Sequence, residues 1–191
     1  AAGPNCENVV IRGKGTIASG GRELAEKIIA DEQEHLKDYL AEHAALVAES
    51  ENERTIPGRV RPRLINMSNC RNVWVHGLTL KNGASWNQHM IYSDNITTDH
   101  CRFVSESVWN GDGWDPDSST NCTLFACEFA TGGDAVAIKS GKNPEGNKIG
   151  RPSAHIYVFD CRSTAGHGIC LGSEMSGGIE DVQIWDCDLT N

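Results

Sequence analysis

Short stretches of alternating polar and apolar residues return along most of this chain. The segments Asn72-Val-Trp-Val-His-Gly-Leu78, Asn95-Ile-Thr-Thr-Asp-His-Cys101, Asn121-Cys-Thr-Leu-Phe-Ala-Cys127, His155-Ile-Tyr-Val-Phe-Asp-Cys161 and Asp181-Val-Gln-Ile-Trp-Asp-Cys187 share one layout. A polar residue leads, apolar residues follow at the next and mostly at the third position, and Cys or Leu closes the unit. Asn8-Val-Val-Ile-Arg-Gly begins an earlier copy. Alternation of this kind is a short strand with one buried face. The units start 23, 26, 34 and 26 residues apart. Repeats of this length, built from strands with no helical pattern inside them, predict a β-solenoid whose equivalent residues stack about 4.8 Å apart. Cys101, Cys127, Cys161 and Cys187 then form an internal column. A free thiol packs as a small hydrophobe, and the eight cysteines include no C-x-x-C pair of the kind that marks a zinc ribbon or redox motif.

A second register aligns Ser93, Ser118, Ser140 and Ser173, with Asn87, Asp112, Asp134 and His167 each six residues earlier. It predicts that Asp112, Asp134 and His167 stand on successive coils as a polar column along one outer wall. Two segments depart from the repeat. Residues 22–49 are rich in Ala, Glu, Lys and Leu, which are strong helix formers. Their apolar stripe of Leu24, Ile28, Leu36, Leu40, His43 and Val47 predicts a helical insertion on the solenoid flank. Residues 141–152 carry the Gly and Pro of a surface loop, expected to bring Lys142, Lys148 and Arg151 near the head of the column.

Composition narrows the function. Lys plus Arg number 17 against 26 for Asp plus Glu, a net charge of −9. A nucleic-acid partner would call for a basic face, so none is expected. No run of apolar residues is long enough to span a membrane, and no signal peptide opens the chain. The 191 residues fit one domain, with 20 glycines in keeping with frequent turns.

An acidic column with a histidine, and Trp86, Trp109 and Trp114 as aromatic neighbours, suits an extended carbohydrate. Inverting hydrolysis of a glycosidic bond needs a carboxylic acid at the leaving oxygen and a carboxylate that activates water. The other role open to such aspartates is closing turns through backbone N–H groups.

The motifs Asn110-Gly-Asp112-Gly-Trp-Asp115, Thr131-Gly-Gly-Asp134-Ala-Val-Ala-Ile-Lys-Ser-Gly141 and Gly166-His167-Gly168, in this order, resemble glycoside hydrolase family 28, the polygalacturonase-like pectin hydrolases. The resemblance implies an all-β fold, a right-handed parallel β-helix, as one partial domain over 1–191. It implies hydrolysis of α-1,4 galacturonosyl bonds with inversion, without metal or other cofactor. The partner implied is a pectic polysaccharide or oligogalacturonide, and the location extracellular or at the cell envelope. By the same resemblance Asp112 and Asp134 hold the attacking water and His167 tunes them, while Asn110, Asp115 and Lys139 contact substrate. Gly133 falls where the family carries its general acid, and residues 169–191 contain no counterpart of the family's Arg-x-Lys strand. The chain therefore reads as an internal segment of a longer enzyme, with weak or no activity of its own. Two other readings stay open: a non-catalytic polysaccharide-binding solenoid, and a calcium-dependent pectate lyase using Asp112, Asp115 and Asp117.

Overall fold

A computed structural model describes residues 5–44 and 60–190 of the chain. Among the described residues, seventeen strands run from β1 (Glu7–Arg12), β2 (Thr16–Ala18) and β3 (Ile65–Ser68) through β4 (Arg71–His76), β5 (Thr79–Lys81), β6 (Gln88–Ile91), β7 (Asp94–Asp99) and β8 (Arg102–Ser105). They continue as β9 (Trp114–Asp117), β10 (Thr120–Phe125), β11 (Glu128–Thr131), β12 (Val136–Ile138), β13 (Ser153–Phe159), β14 (Arg162–Ser163), β15 (Ile169–Leu171), β16 (Ile179–Trp185) and β17 (Asp188–Leu189). Every third strand joins the same sheet, in the orders β1-β4-β7-β10-β13-β16, β2-β5-β8-β11-β14-β17 and β3-β6-β9-β12-β15. All of the pairings are parallel. Three parallel sheets wound by one advancing chain make the parallel β-helix that the repeat predicts.

The lead residue of each repeat has a backbone reason to be polar. Asn8, Asn72, Asn95, Asn121, His155 and Asp181 all sit at positive φ, between 44 and 58°. Asn, Asp and His are the non-glycine residues enriched in this left-handed region. The Asn side chains also stack along the helix: Asn72 Nδ2 donates to Asn8 Oδ1 at 3.0 Å, and Asn95 Nδ2 to Asn72 Oδ1 at 2.7 Å. The next corner is left-handed too, at Gly77, His100, Ala126, Asp160 and Asp186. It turns the chain so that Leu78, Cys101, Cys127 and Cys161 point inward, and all four are buried. Three of the four column cysteines therefore pack as core and half-buried Cys187 lies against it, with the Cys101 N–H directed at Cys127 Sγ.

The interior between the sheets holds Val75, Leu80, Met90, Ile96, Phe103, Trp114, Leu124, Ile138 and Ile156, all fully buried. Phe103 and Phe129 stack at 4.7 Å inside, and Phe125, Phe159 and Trp185 stack at 5.1 and 4.4 Å outside. Trp114, expected beside the polar column, points instead into the core, where its indole N–H donates to Thr98 Oγ1.

The helical insertion comprises α1 (Gly21–His35) and α2 (Lys37–Glu42), broken at Leu36. Its buried positions are Gly21, Ala25 and Ile29, one residue round from the predicted stripe, and His43 is exposed. Val47 and the rest of the predicted helix lie outside the described residues. The 141–152 segment contains a short helix, α3 (Glu145–Ile149), capped by Gly150 in the left-handed conformation. It leaves the C-terminal end of β12, whereas Asp134 precedes that strand. The strand separates the two, so the segment does not crown the polar column. Its Arg151 guanidinium lies over the Tyr92 ring instead.

Candidate active site

The outer face of the β3-β6-β9-β12-β15 sheet carries the candidate site. Strand register pairs Trp114 with Val136, and Val136 with Ile169. The residues two places earlier are Asp112, Asp134 and His167, which therefore stack on three successive coils. The same register puts Trp86, not Asn87, below Asp112, because Gln88 pairs with Trp114. The serine alignment slips likewise in that coil. Ser93 stacks with Ser119 and Ser153: the Ser119 hydroxyl accepts the Ser93 N–H, and the Ser153 hydroxyl accepts the Ser119 N–H.

The column is a connected hydrogen-bonded chain. Asp112 Oδ1 accepts the N–H of Asp134 at 3.0 Å, and Asp134 Oδ1 lies 3.0 Å from His167 Nδ1. Exposure grades along it: Asp112 is buried, the Asp134 side chain is 18% exposed and the His167 side chain 72%. Burial pushes the Asp112 carboxyl up, with nearby Asp134 adding and Lys139 opposing.

Beneath this wall lie residues expected to touch substrate. Asp115 and Lys139 are 0% and 4% exposed, so both support the cleft from below. The Lys139 ammonium is 3.1 Å from Glu174 Oε2 and 4.8 Å from the centre of the Trp86 ring. Burial alone would lower its pKa, yet Asp115, Glu174 and Asp112 outweigh burial and hold it raised. Asn110 keeps its side-chain oxygen enclosed without a protein partner.

The repeat pattern gave no sign of Arg61 and Arg63, which precede β3 in an Arg-Pro-Arg segment. Arg61 is buried and donates to the Ala84 carbonyl at 3.1 Å, with its guanidinium 4.8 Å above Trp109. Arg63 lies 4.4 Å over Trp86 and feels Asp115, Asp117 and Glu174. Trp86 thus has Arg63 and Lys139 over it.

Asp115 predicts how stability depends on pH. Its carboxyl is raised well above the usual carboxylate range, by burial first and by neighbouring Asp112 second. The folded chain then keeps a proton that the unfolded chain releases near pH 4. Stability from that proton is complete below the unfolded value and is lost as pH rises through the raised folded one. The thermal midpoint is expected to fall as pH climbs from about 4 toward neutrality, and Asp115→Asn to flatten the fall. Thermal unfolding followed across that range checks it; an identical slope in the variant would assign the proton elsewhere.

Asp112, Asp115 and Asp117 do not form the open anionic cluster a calcium-dependent lyase would need. Asp115 is held toward its protonated form, and Asp117 is engaged by the Gly141 N–H at 2.9 Å and by His89 at 3.5 Å.

Fold and site together define an acid-lined parallel β-helix. The sequence model for glycosyl hydrolases family 28 matches residues 2–191, and the chain belongs to that family. It is 39% identical over 129 residues to a probable polygalacturonase of Vitis vinifera, covering 66% of this chain and 26% of that protein. An exo-poly-alpha-D-galacturonosidase of Dickeya chrysanthemi is 27% identical over 192 residues, covering 92% of this chain and 32% of that protein. The crystal structure of an exopolygalacturonase from Thermotoga maritima superposes with a TM-score of 0.77 at 31% identity, over 96% of this chain and 45% of that one. The chain thus spans about a quarter to a third of these curated relatives. Among the described residues no helix is long and apolar enough to cross a membrane.

Proposed function

We propose that the protein containing this chain hydrolyses α-1,4 galacturonosyl bonds of pectic polysaccharide with inversion, acting outside the cell. The observation that carries the reading is the hydrogen-bonded column of Asp112, Asp134 and His167 on one outer wall. Asp112 and Asp134 are to hold the attacking water, with His167 orienting Asp134 through their 3.0 Å contact. Arg61, Arg63 and Lys139 supply positive potential for a uronate carboxylate, a role that requires no chemistry from them. Gly133 offers no proton to the leaving oxygen. General acid catalysis contributes about 10²–10⁴-fold, so turnover is expected to be slow by that factor.

Reducing ends released from polygalacturonate, measured beside ultraviolet absorbance for unsaturated products, test the reaction type. Slow release of reducing ends without absorbance, abolished by Asp134→Asn, supports hydrolysis. Saturable quenching of Trp fluorescence by oligogalacturonate with no release would instead leave a binding solenoid.

A further inference from the structure

A second cluster of side chains lies on a different face, the outer side of the β1-β4-β7-β10-β13-β16 sheet. His76 ends β4 and Asp99 ends β7, and the register sets them directly side by side. His100 follows at the left-handed corner, with φ of 53°. Asp99 Oδ2 lies 2.9 Å from His76 Nδ1 and 2.7 Å from His100 Nδ1. Its other oxygen accepts the indole N–H of Trp74. The Asp99 side chain is 6% exposed, while His76 and His100 are 37% and 59% exposed.

One carboxylate oxygen thus faces two imidazole nitrogens, and one ligand atom from each residue lies within 4.8 Å of the other two. Two neutral imidazoles and a carboxylate are donors that Zn²⁺ accepts, with bonds near 2.0–2.2 Å and a tetrahedral arrangement. Such bonds put neighbouring ligand atoms about 3.3 Å apart. The nitrogen–oxygen pairs here need to open by roughly half an ångström to admit an ion at that geometry. The exposed His100 ring and the half-buried His76 ring make that adjustment by rotating. Asp99 is anchored by Trp74, an outer bond of the kind that orients metal-ligating carboxylates. Solvent reaches both rings, leaving room for water at a fourth position.

We propose that His76, Asp99 and His100 bind a divalent transition-metal ion, Zn²⁺ above all, on the sheet face flanking the cleft sheet. The donor set excludes Ca²⁺ and Mg²⁺, which take oxygen ligands. The ion joins the coil of β4 to the coil of β7, so its role is to brace two rungs, separate from the chemistry of Asp112 and Asp134.

The test is titration of metal-stripped protein with Zn²⁺ by calorimetry, and with Co²⁺ as a visible-absorption probe of tetrahedral coordination. One saturable equivalent is expected, together with a rise in thermal midpoint when Zn²⁺ is present. His76→Ala and His100→Ala are each expected to weaken binding at least tenfold and to erase that rise. Because the His100 ring is largely exposed and the His76 ring partly so, these variants are expected to keep the fold, which circular dichroism verifies. Asp134→Asn is expected to bind as the parent does. No saturable equivalent overturns the proposal, and so does binding that survives both histidine variants or disappears with Asp134→Asn.

Discussion

Gly133→Asp is expected to raise cleavage of polygalacturonate by about 10²-fold, the lower end of what a general acid contributes. The reason for the lower end is steric. A Cβ placed on Gly133 would fall on Asp112 Oδ1, with the Asn110 Cα at 3.2 Å. Asp112 has therefore swung into space that a side chain at 133 would occupy. Its oxygen is the mobile end of a side chain and can turn away, but turning breaks its bond to the Asp134 N–H. The new acid is gained while one of the two carboxylates proposed to hold water is displaced. Gly133→Ala separates the two effects, since it adds the clash without the proton. It is expected to lower the rate, and the contrast between the two variants measures the acid itself. Equal rates in both, with the fold intact, would show that position 133 does not reach the leaving oxygen.

Trp114→Ala is expected to destabilise the chain by about 3–5 kcal/mol, the usual loss for a large aromatic removed from a core. Trp114 is fully buried and is the largest such side chain. It sits inside β9, the strand between His89's coil and Lys139's coil. Truncation leaves a cavity there and takes away a partner of Thr98, which also receives the Gln88 side-chain amide at 2.7 Å. Asp112 and Asp115 flank this residue in sequence, so a loosened core is expected to lower activity as well. Thermal or urea unfolding measures the first effect. A loss below about 1 kcal/mol would mean that neighbouring side chains collapse into the void.

Much of the architecture could be read from the chain because a solenoid writes its fold as a local period. Asn72, Asn95 and Asn121 announce left-handed corners, and the cysteines that follow the next corner announce the core. Asp112, Asp134 and His167 were legible for the same reason: offsets between coils are constant within one sheet. The offset failed at Ser93, where the coil before Asp112 is one residue out of step and Tyr92 takes the place expected for serine. Direction of side chains was harder. Alternation alone puts Trp114 one residue from Asp115 but does not say which faces the interior; the indole proved to be inside and the carboxylate on the cleft side yet covered. Arg61 and Arg63 belong to no repeat unit, and only folding brings them over Trp109 and Trp86. The sequence shows glycine at position 133, but the occupation of its space by Asp112 is seen only in the fold.

The left-handed corners have a bearing on how such a chain tolerates change. Each corner fixes where a turn of the superhelix begins, so the path between corners is free to lengthen without altering what stacks above or below. Two detours already illustrate this, the pair of helices after β2 and the short helix after β12. Material added at those junctions moves outward, and the spacing of acidic groups along the wall stays as it was. The rim can therefore change while Asp112, Asp134 and His167 keep their separation.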